Sequence, residues 1–415
     1  MFKIFPLTEK HWVMADQAVV SGTTFVTQFL IARQLGITDY GYFSVMVLGQ
    51  LFLLSLQQSA ISGVFQVMFH QTKEVKRQKY VNGILSIQYL FLLLVVFGSM
   101  LYYHFVENTG LSKYALVVGL NIVLFLLEDF YRRYFITIDA APKAFLIDAI
   151  NNFGQLFFLL IFAFTNRLTL ENTLWICALS FVPAIVMSLF WAKPKMFNWA
   201  HIQYTFVLHY AQAKWMLLSA LMQWLSGNFF IVAAGWWLGA AALGALRIGQ
   251  YLFGFINVFM QAVESYALPK VSETTSDIAD TFLYLKKLVL KLFKTAIPII
   301  ILIVIFAKPL LQFLKIETTA EHFYVIIGLA VTQMVIVFGY PVRIAIRVLK
   351  LNRNYFIGYV MATVFSLLTA YVIIHQWQVK GVVFGIFCSQ IILVSYWLWV
   401  LKKNHFDSWK SFISF

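Results

Sequence analysis

Cysteine, metal-spaced histidine and charge are what this sequence has least of. Its 415 residues include two cysteines, Cys177 and Cys388, each inside an apolar run. They read as small buried hydrophobes, which excludes a disulfide framework or a cysteine-held metal. The eight histidines lie at the ends of apolar runs or in connections and share no ligand spacing, so no metal site is expected. Asp, Glu, Lys and Arg make up 12% of the chain, about half the ~25% of a soluble domain. No uncharged apolar run precedes a small-residue cleavage site. The opening "MFKIFPLTEKHWVMADQ" runs into a polar-flecked helix, so a cleaved signal peptide is not expected.

Apolar residues fill the deficit. Hydrophobic residues make up 61% and aromatics 18% of the chain, with a mean hydropathy of +0.80. Such a chain has too little polar surface to cover itself in water and belongs in a bilayer. A spanning helix needs about 20 mostly apolar residues. Twelve stretches meet that length, near 13–33, 42–66, 81–104, 114–131, 144–165, 172–191, 215–237, 240–265, 293–312, 322–341, 355–375 and 381–401. With the N-terminus placed inside, 24 Lys and Arg fall on the inner side and six on the outer, and Arg247 is the remaining cation. This imbalance predicts twelve spans with both termini cytoplasmic. The net charge of +14 is thereby mostly a topology signal, and no nucleic-acid partner is expected. The outer connections are too short for an external catalytic domain, so no enzyme is expected. Two longer inner segments, 195–214 and 276–294, read as interfacial helices.

The chain also repeats. "LGITDYG" (Leu35–Gly41) and "LGAAALG" (Leu238–Gly244) share an L-G-x4-G spacing 203 residues apart. "YRRYFITIDAAPKAF" aligns with "VRIAIRVLKLNRNYF" at an offset of 211, matching Arg132 to Arg343, and Cys177 and Cys388 share that offset. Six spans per repeat is an even number, so the halves run in the same orientation. Parallel repeats of this kind place a substrate site at their interface. The expected organisation is an all-α polytopic membrane protein of two six-helix bundles, 1–192 and 215–415, joined by a connector at 193–214. Gly36 and Gly239 are expected to end their helices in the left-handed conformation.

Arg247 is the oddest residue. An arginine costs roughly 2.5–3.5 kcal/mol at a span centre, and the nine Leu, Ile, Phe and Val of residues 240–262 return about 3–5 kcal/mol. The helix is marginal alone and needs a protein or water environment on one side. Arg247, Gln250, Gly254, Asn257, Gln261 and Glu264 recur at 3, 4, 3, 4, 3, a polar stripe on one face of a continuous helix. Span one carries Asp16, Thr23 and Thr27, with Gln28 nearby and Arg33 at its outer end. Span two offers Gln50 and Gln57, and span seven Gln223. These repeat-related spans are expected to line a polar cavity.

Three stretches carry a resemblance. "FLIARQLGITDYGYFSV" is similar to the first hairpin of the polysaccharide-transporter family, within the multidrug/oligosaccharidyl-lipid/polysaccharide exporter (MOP) superfamily. "EDFYRRYFITIDAAPKAFLIDA" resembles its loop between spans four and five, and residues 214–273 its spans seven and eight. The resemblance implies a V-shaped cavity between two bundles and export of polyprenyl-pyrophosphate-linked oligosaccharide by alternating access, for surface polysaccharide such as O-antigen. It implies a bacterial inner-membrane location, contact with membrane lipids and a polysaccharide polymerase as partner. On this reading Arg247 meets the pyrophosphate, since guanidinium forks phosphate oxygens. Gln250, Asn257, Gln261, Arg33, Gln28, Gln50, Gln57 and Gln223 line the substrate path. Asp16 and Glu264 bind a coupling proton or sodium ion or break a gate, and no other cofactor is expected. Two alternatives stay open: Arg247 pairs with an internal acid, or the protein is a cation-coupled multidrug antiporter of the same superfamily.

Overall fold

The computed structural model describes residues 9–105, 112–194, 197–260, 263, 278–316 and 319–403. Among these, every regular element is helical. Helix α1 (Glu9–Gln57) passes through a π-helical turn (Gln58–Ser62) into α2 (Gly63–Gln71). Then come α3 (Glu74–Phe105), α4 (Ala115–Thr137), α5 (Ala141–Phe164), α6 (Leu170–Leu179), α7 (Phe181–Ala192) and α8 (Trp199–Trp237). The rest are α9 (Ala240–Leu252), α10 (Gly254–Met260), α11 (Ile278–Ile305), α12 (Ala307–Phe313), α13 (Ala320–Val348) and α14 (Asn352–Lys403).

Eight helical runs are long and apolar enough to cross a membrane, and ten if each bent pair, α9–α10 and α11–α12, is one span. A bilayer core is crossed by about 20 residues, so the 61-residue run from His11 to Gln71 and the 52-residue α14 each hold two crossings. Their breaks fall at Gly36 (φ 75°, ψ 172°) and Gln378 (φ 51°, ψ −137°). Counted this way the described residues contain twelve crossings of a multi-pass membrane protein.

Contacts divide the chain into two units: residues 1–35 with 42–221, and residues 36–41 with 222–415. In the first, α2, α3, α4 and α5 pack around Phe65, Tyr80, Phe130, Tyr131 and Phe135. In the second, α13 packs along α14, α11 and α9.

The connector is not a separate helix. Residues 199–214 are the opening turns of α8, which continues unbroken into the next crossing, and α11 likewise begins at Ile278 and runs on. The opening of α8 is bolted to the first unit. Thr205 Oγ1 donates to the Tyr80 carbonyl at 3.4 Å, and His209 bridges the Tyr80 hydroxyl (2.6 Å) and the Ala60 carbonyl (3.2 Å). A carbonyl only accepts, so Nδ1 of His209 carries the proton and Nε2 accepts from Tyr80. Burial pushes the His209 pKa below its usual value, which keeps the ring neutral. Ala60 lies in the π-helical turn, and such turns free a carbonyl from the regular ladder.

The repeated glycines do more than end helices. Gly36 and Gly239 (φ 90°, ψ 179°) adopt a region open essentially to glycine, rather than the left-handed helical one. The second glycine of each motif permits a close approach within the second unit. A Cβ on Gly41 would overlap the Ala240 carbonyl, and one on Gly244 would overlap that of Ile37. Gly36→Ala should therefore lower stability by about 1–3 kcal/mol, read as a reduced unfolding midpoint in detergent. An unchanged midpoint would show that this backbone relaxes freely.

Candidate functional site

Two polar centres are built into the crossings, one in each unit. The first joins α1, α4 and α5. Arg132 Nε lies 3.2 Å from Asp16 Oδ2 and 3.2 Å from Asp148 Oδ2, and both carboxylates are buried. One turn away Arg133 Nε meets Asp129 Oδ2 at 2.9 Å. Gln57 extends the network. It donates to Asp129 Oδ2 at 3.4 Å and accepts from Gln88 Nε2 at 3.0 Å. Glu128 is buried against Asp148, and among the described residues Asp16 Oδ1, Asp148 Oδ1 and Glu128 Oε1 have no hydrogen-bond partner. Four acids thus surround two arginines, a formal excess of two negative charges. Adjacent along the same helices, Thr23 Oγ1 donates to Asn152 Oδ1 at 2.9 Å.

The second centre is Arg247 on α9. It is 6% exposed. Its Nη1 donates to Gln250 Oε1 at 2.9 Å and its Nη2 to the Tyr251 hydroxyl at 3.0 Å, with the guanidinium 4.9 Å from the Tyr251 ring centroid. These partners sit three and four residues on, as a helix requires. Among the described residues Nε has no hydrogen-bond partner and no carboxylate lies within 4.0 Å. Among the described residues its hydrogen-bond partners are neutral, so no counter-charge there offsets the cost of burying the cation. Asn257 Oδ1, on α10, accepts from Gln333 Nε2 of α13 at 2.8 Å.

The structure places the other residues singled out from sequence as follows. The stripe is not one straight face, because the helix bends by 46° between α9 and α10. Arg247 and Gln250 lie before the bend and Asn257 after it. The bend falls where Gly254, a poor helix former, follows Phe253. Gln261 and Glu264 lie outside the described residues. Asp16 is buried in the first unit with Arg132. Gln50 is buried and donates to Asn121. Gln28 is buried and Arg33 half-buried on α1, and Gln223 is exposed on α8. The Asp16–Arg132–Asp148 junction was not legible beforehand: its members are up to 132 residues apart, and their only shared signal is that each is a charge in an apolar run.

A scan of protein-family models finds no match, and neither does a search of curated proteins. Solved structures match throughout. The chain has the fold of the MOP-superfamily transporters. One such structure is the lipid II flippase MurJ in an inward closed conformation, with TM-score 0.71 at 14% identity over 95% of this chain and 87% of that one. Multidrug resistance MATE family transporters of the superfamily match nearly as well. An outward-facing one gives TM-score 0.64 at 13% identity, covering 98% of both chains, and an inward-facing one 0.65 at 14%, covering 98% and 97%. A MOP superfamily transporter from Pyrococcus furiosus, whose binding pocket is described as reversed in polarity, gives 0.61 at 14% over 95% of each.

Proposed function

We propose that this protein is a flippase for polyprenyl-pyrophosphate-linked oligosaccharide, working by alternating access in the bacterial cytoplasmic membrane with both termini inside. One observation carries the reading: Arg247 is buried in a crossing without a carboxylate partner among the described residues. A cationic drug would be repelled there, whereas a pyrophosphate supplies the missing charge and accepts the donors that a guanidinium presents. Gln250 beside it, and Asn257 and Gln261 further along, offer amides suited to sugar hydroxyls. Gln28, Arg33, Gln50, Gln57 and Gln223 are assigned more weakly, since Gln50 and Gln57 already have side-chain partners inside the first unit.

The acid cluster of the first unit is the energy-coupling element on this reading. Its excess of two negative charges and three unpartnered carboxylate oxygens suit uptake of a proton. A proton is favoured over a metal ion because, among the described residues, no three acids, histidines or cysteines converge in metal-holding geometry. The same cluster favours a second reading, a proton-coupled antiporter for cationic compounds. The two differ in which unit meets the substrate. In a strain lacking the protein, lipid-linked oligosaccharide should accumulate on the inner leaflet and surface polysaccharide should disappear. Normal surface polysaccharide in that strain would sink the flippase reading.

A further inference from the structure

A third feature lies wholly within the second unit and belongs to neither centre. Where α14 breaks, beside the first turns of α13, a cavity of about 760 Å³ opens. Glu321 and Tyr324 of α13 line it. So do Gln376, Trp377, Gln378, Lys380 and Phe384 of α14. Trp377 and Phe384 meet edge to face, with ring centroids 5.4 Å apart. Lys380 Nζ lies 5.7 Å from the Tyr324 ring centroid, which ties α14 after its break to α13. Trp377 is 51% exposed and Phe384 41%, so both rings keep open surface.

Two observations set this place apart from a plain turn between crossings. The first is its backbone. Gln378 (φ 51°, ψ −137°) sits close to a region open essentially to glycine. A glycine would make the turn with less strain, yet the chain keeps an amide there, and strain of this kind gathers at ligand sites. The second is the repeat. At the 211-residue offset Trp377 corresponds to Asn166 and Phe384 to Thr173. The first unit turns instead at Asn166 (φ 52°), a residue type that enters positive φ readily. It has neither ring, so the reversal itself does not require the aromatic pair. An interfacial anchor would explain a lone tryptophan at a crossing end. It does not explain a carboxylate, an ammonium and two amides around the same space.

We propose that this cavity binds a sugar ring. Trp377 and Phe384 take the apolar C–H face of the ring, and the amides of Gln376 and Gln378 and the carboxylate of Glu321 take its hydroxyls. At about 760 Å³ the space falls within the roughly 300–1,000 Å³ of small-molecule sites. On the topology given by the Lys and Arg balance, the break in α14 faces the outer side. The source of the ring rests on the flippase reading: it is the sugar end of the substrate as it is delivered outside. The chemistry of the cavity does not depend on that source.

Saturation-transfer difference NMR on the full-length protein tests this, in lauryldimethylamine oxide, a detergent without sugar. The probes are glucose, galactose, N-acetylglucosamine and erythritol, the last having hydroxyls but no ring. Transfer to the ring protons of at least one sugar is expected, with erythritol binding at least about tenfold more weakly because it offers no face to stack. Trp377→Ala should weaken sugar binding about tenfold at an unchanged unfolding midpoint, since the side chain is half exposed. Trp377→Phe should keep part of the binding. Gln378→Gly should raise the midpoint, by relieving the backbone, yet weaken binding severalfold, by removing the amide. A residue that only made the turn would not separate the two readouts. Binding of the sugars no tighter than that of erythritol, or wild-type binding in Trp377→Ala, overturns the proposal. Displacement of the sugar by dihexanoyl-phosphatidylcholine would mark a phospholipid headgroup site and overturns it too. Trp377-dependent sugar binding in a protein that moves no lipid-linked oligosaccharide would refute the flippase reading and leave the site standing. Flipping by a protein whose sugar binding ignores Trp377 would do the reverse.

Discussion

Arg247→Ala should reduce movement of lipid-linked oligosaccharide about 100-fold while the protein stays folded and abundant. The size follows from what the guanidinium offers. A hydrogen bond to a charged group contributes about 1.5–3 kcal/mol, and about 1.4 kcal/mol is a factor of ten, so losing two contacts to a pyrophosphate at the lower end of that range costs about two orders of magnitude. Stability should hold because, among the described residues, Arg247 bonds only Gln250 and Tyr251, its own helical neighbours, and both can satisfy themselves otherwise. Arg247→Lys keeps the charge but not the planar fork and should retain part of the activity. The contrast between lysine and alanine separates charge from shape in surface-polysaccharide assays at matched protein level. Full activity of the alanine variant would reduce Arg247 to a packing element.

Arg132→Ala should act by the opposite route, through the fold. Arg132 is the cation shared by Asp16 and Asp148, and both carboxylates are buried. Removing one partner of a buried ion pair costs about 3–5 kcal/mol, because charge is left without compensation. Little of a typical 5–15 kcal/mol stability would survive two such losses, so the variant should be scarce in the membrane and unfold at markedly lower temperature. Neutralising the whole group, with Arg132→Met, Asp16→Asn and Asp148→Asn together, should restore most of the stability, since buried ion pairs replaced as a set are often neutral. The triple variant should still fail to couple transport to a proton gradient. Recovery of gradient-driven transport in it would assign the cluster to structure alone.

These two arginines show how much could be read in advance. Arg247 stood out because a lone cation in an apolar run has a cost that can be added up from one segment. Gly36 and Gly239 were legible as backbone breaks because the repeat presents them twice, although the break uses a different backbone region than helix caps usually do. The Asp16–Arg132–Asp148 junction was not legible: each residue looked like a charge near a span end, and nothing in one sequence says which distant crossings touch. Asp16 is expected beside a cavity, and the sequence carries no sign of its pairing with Arg132. The polar stripe failed in part for a local reason. Periodicity assumes a continuous helix, and the 46° bend after α9 divides it between Arg247 and Asn257. Gln378 marks the opposite limit, a break at a residue whose type gives no warning.

The most direct test of the account is transport by purified protein in sealed vesicles, offered either a fluorescent polyprenyl-pyrophosphate oligosaccharide or the cationic dye ethidium under an imposed proton gradient. The account predicts that the lipid-linked sugar changes leaflet at a rate lost in Arg247→Ala, and that ethidium is not moved. Ethidium transport that persists in Arg247→Ala, with the lipid-linked sugar left where it started, would contradict it and make the protein a cation antiporter.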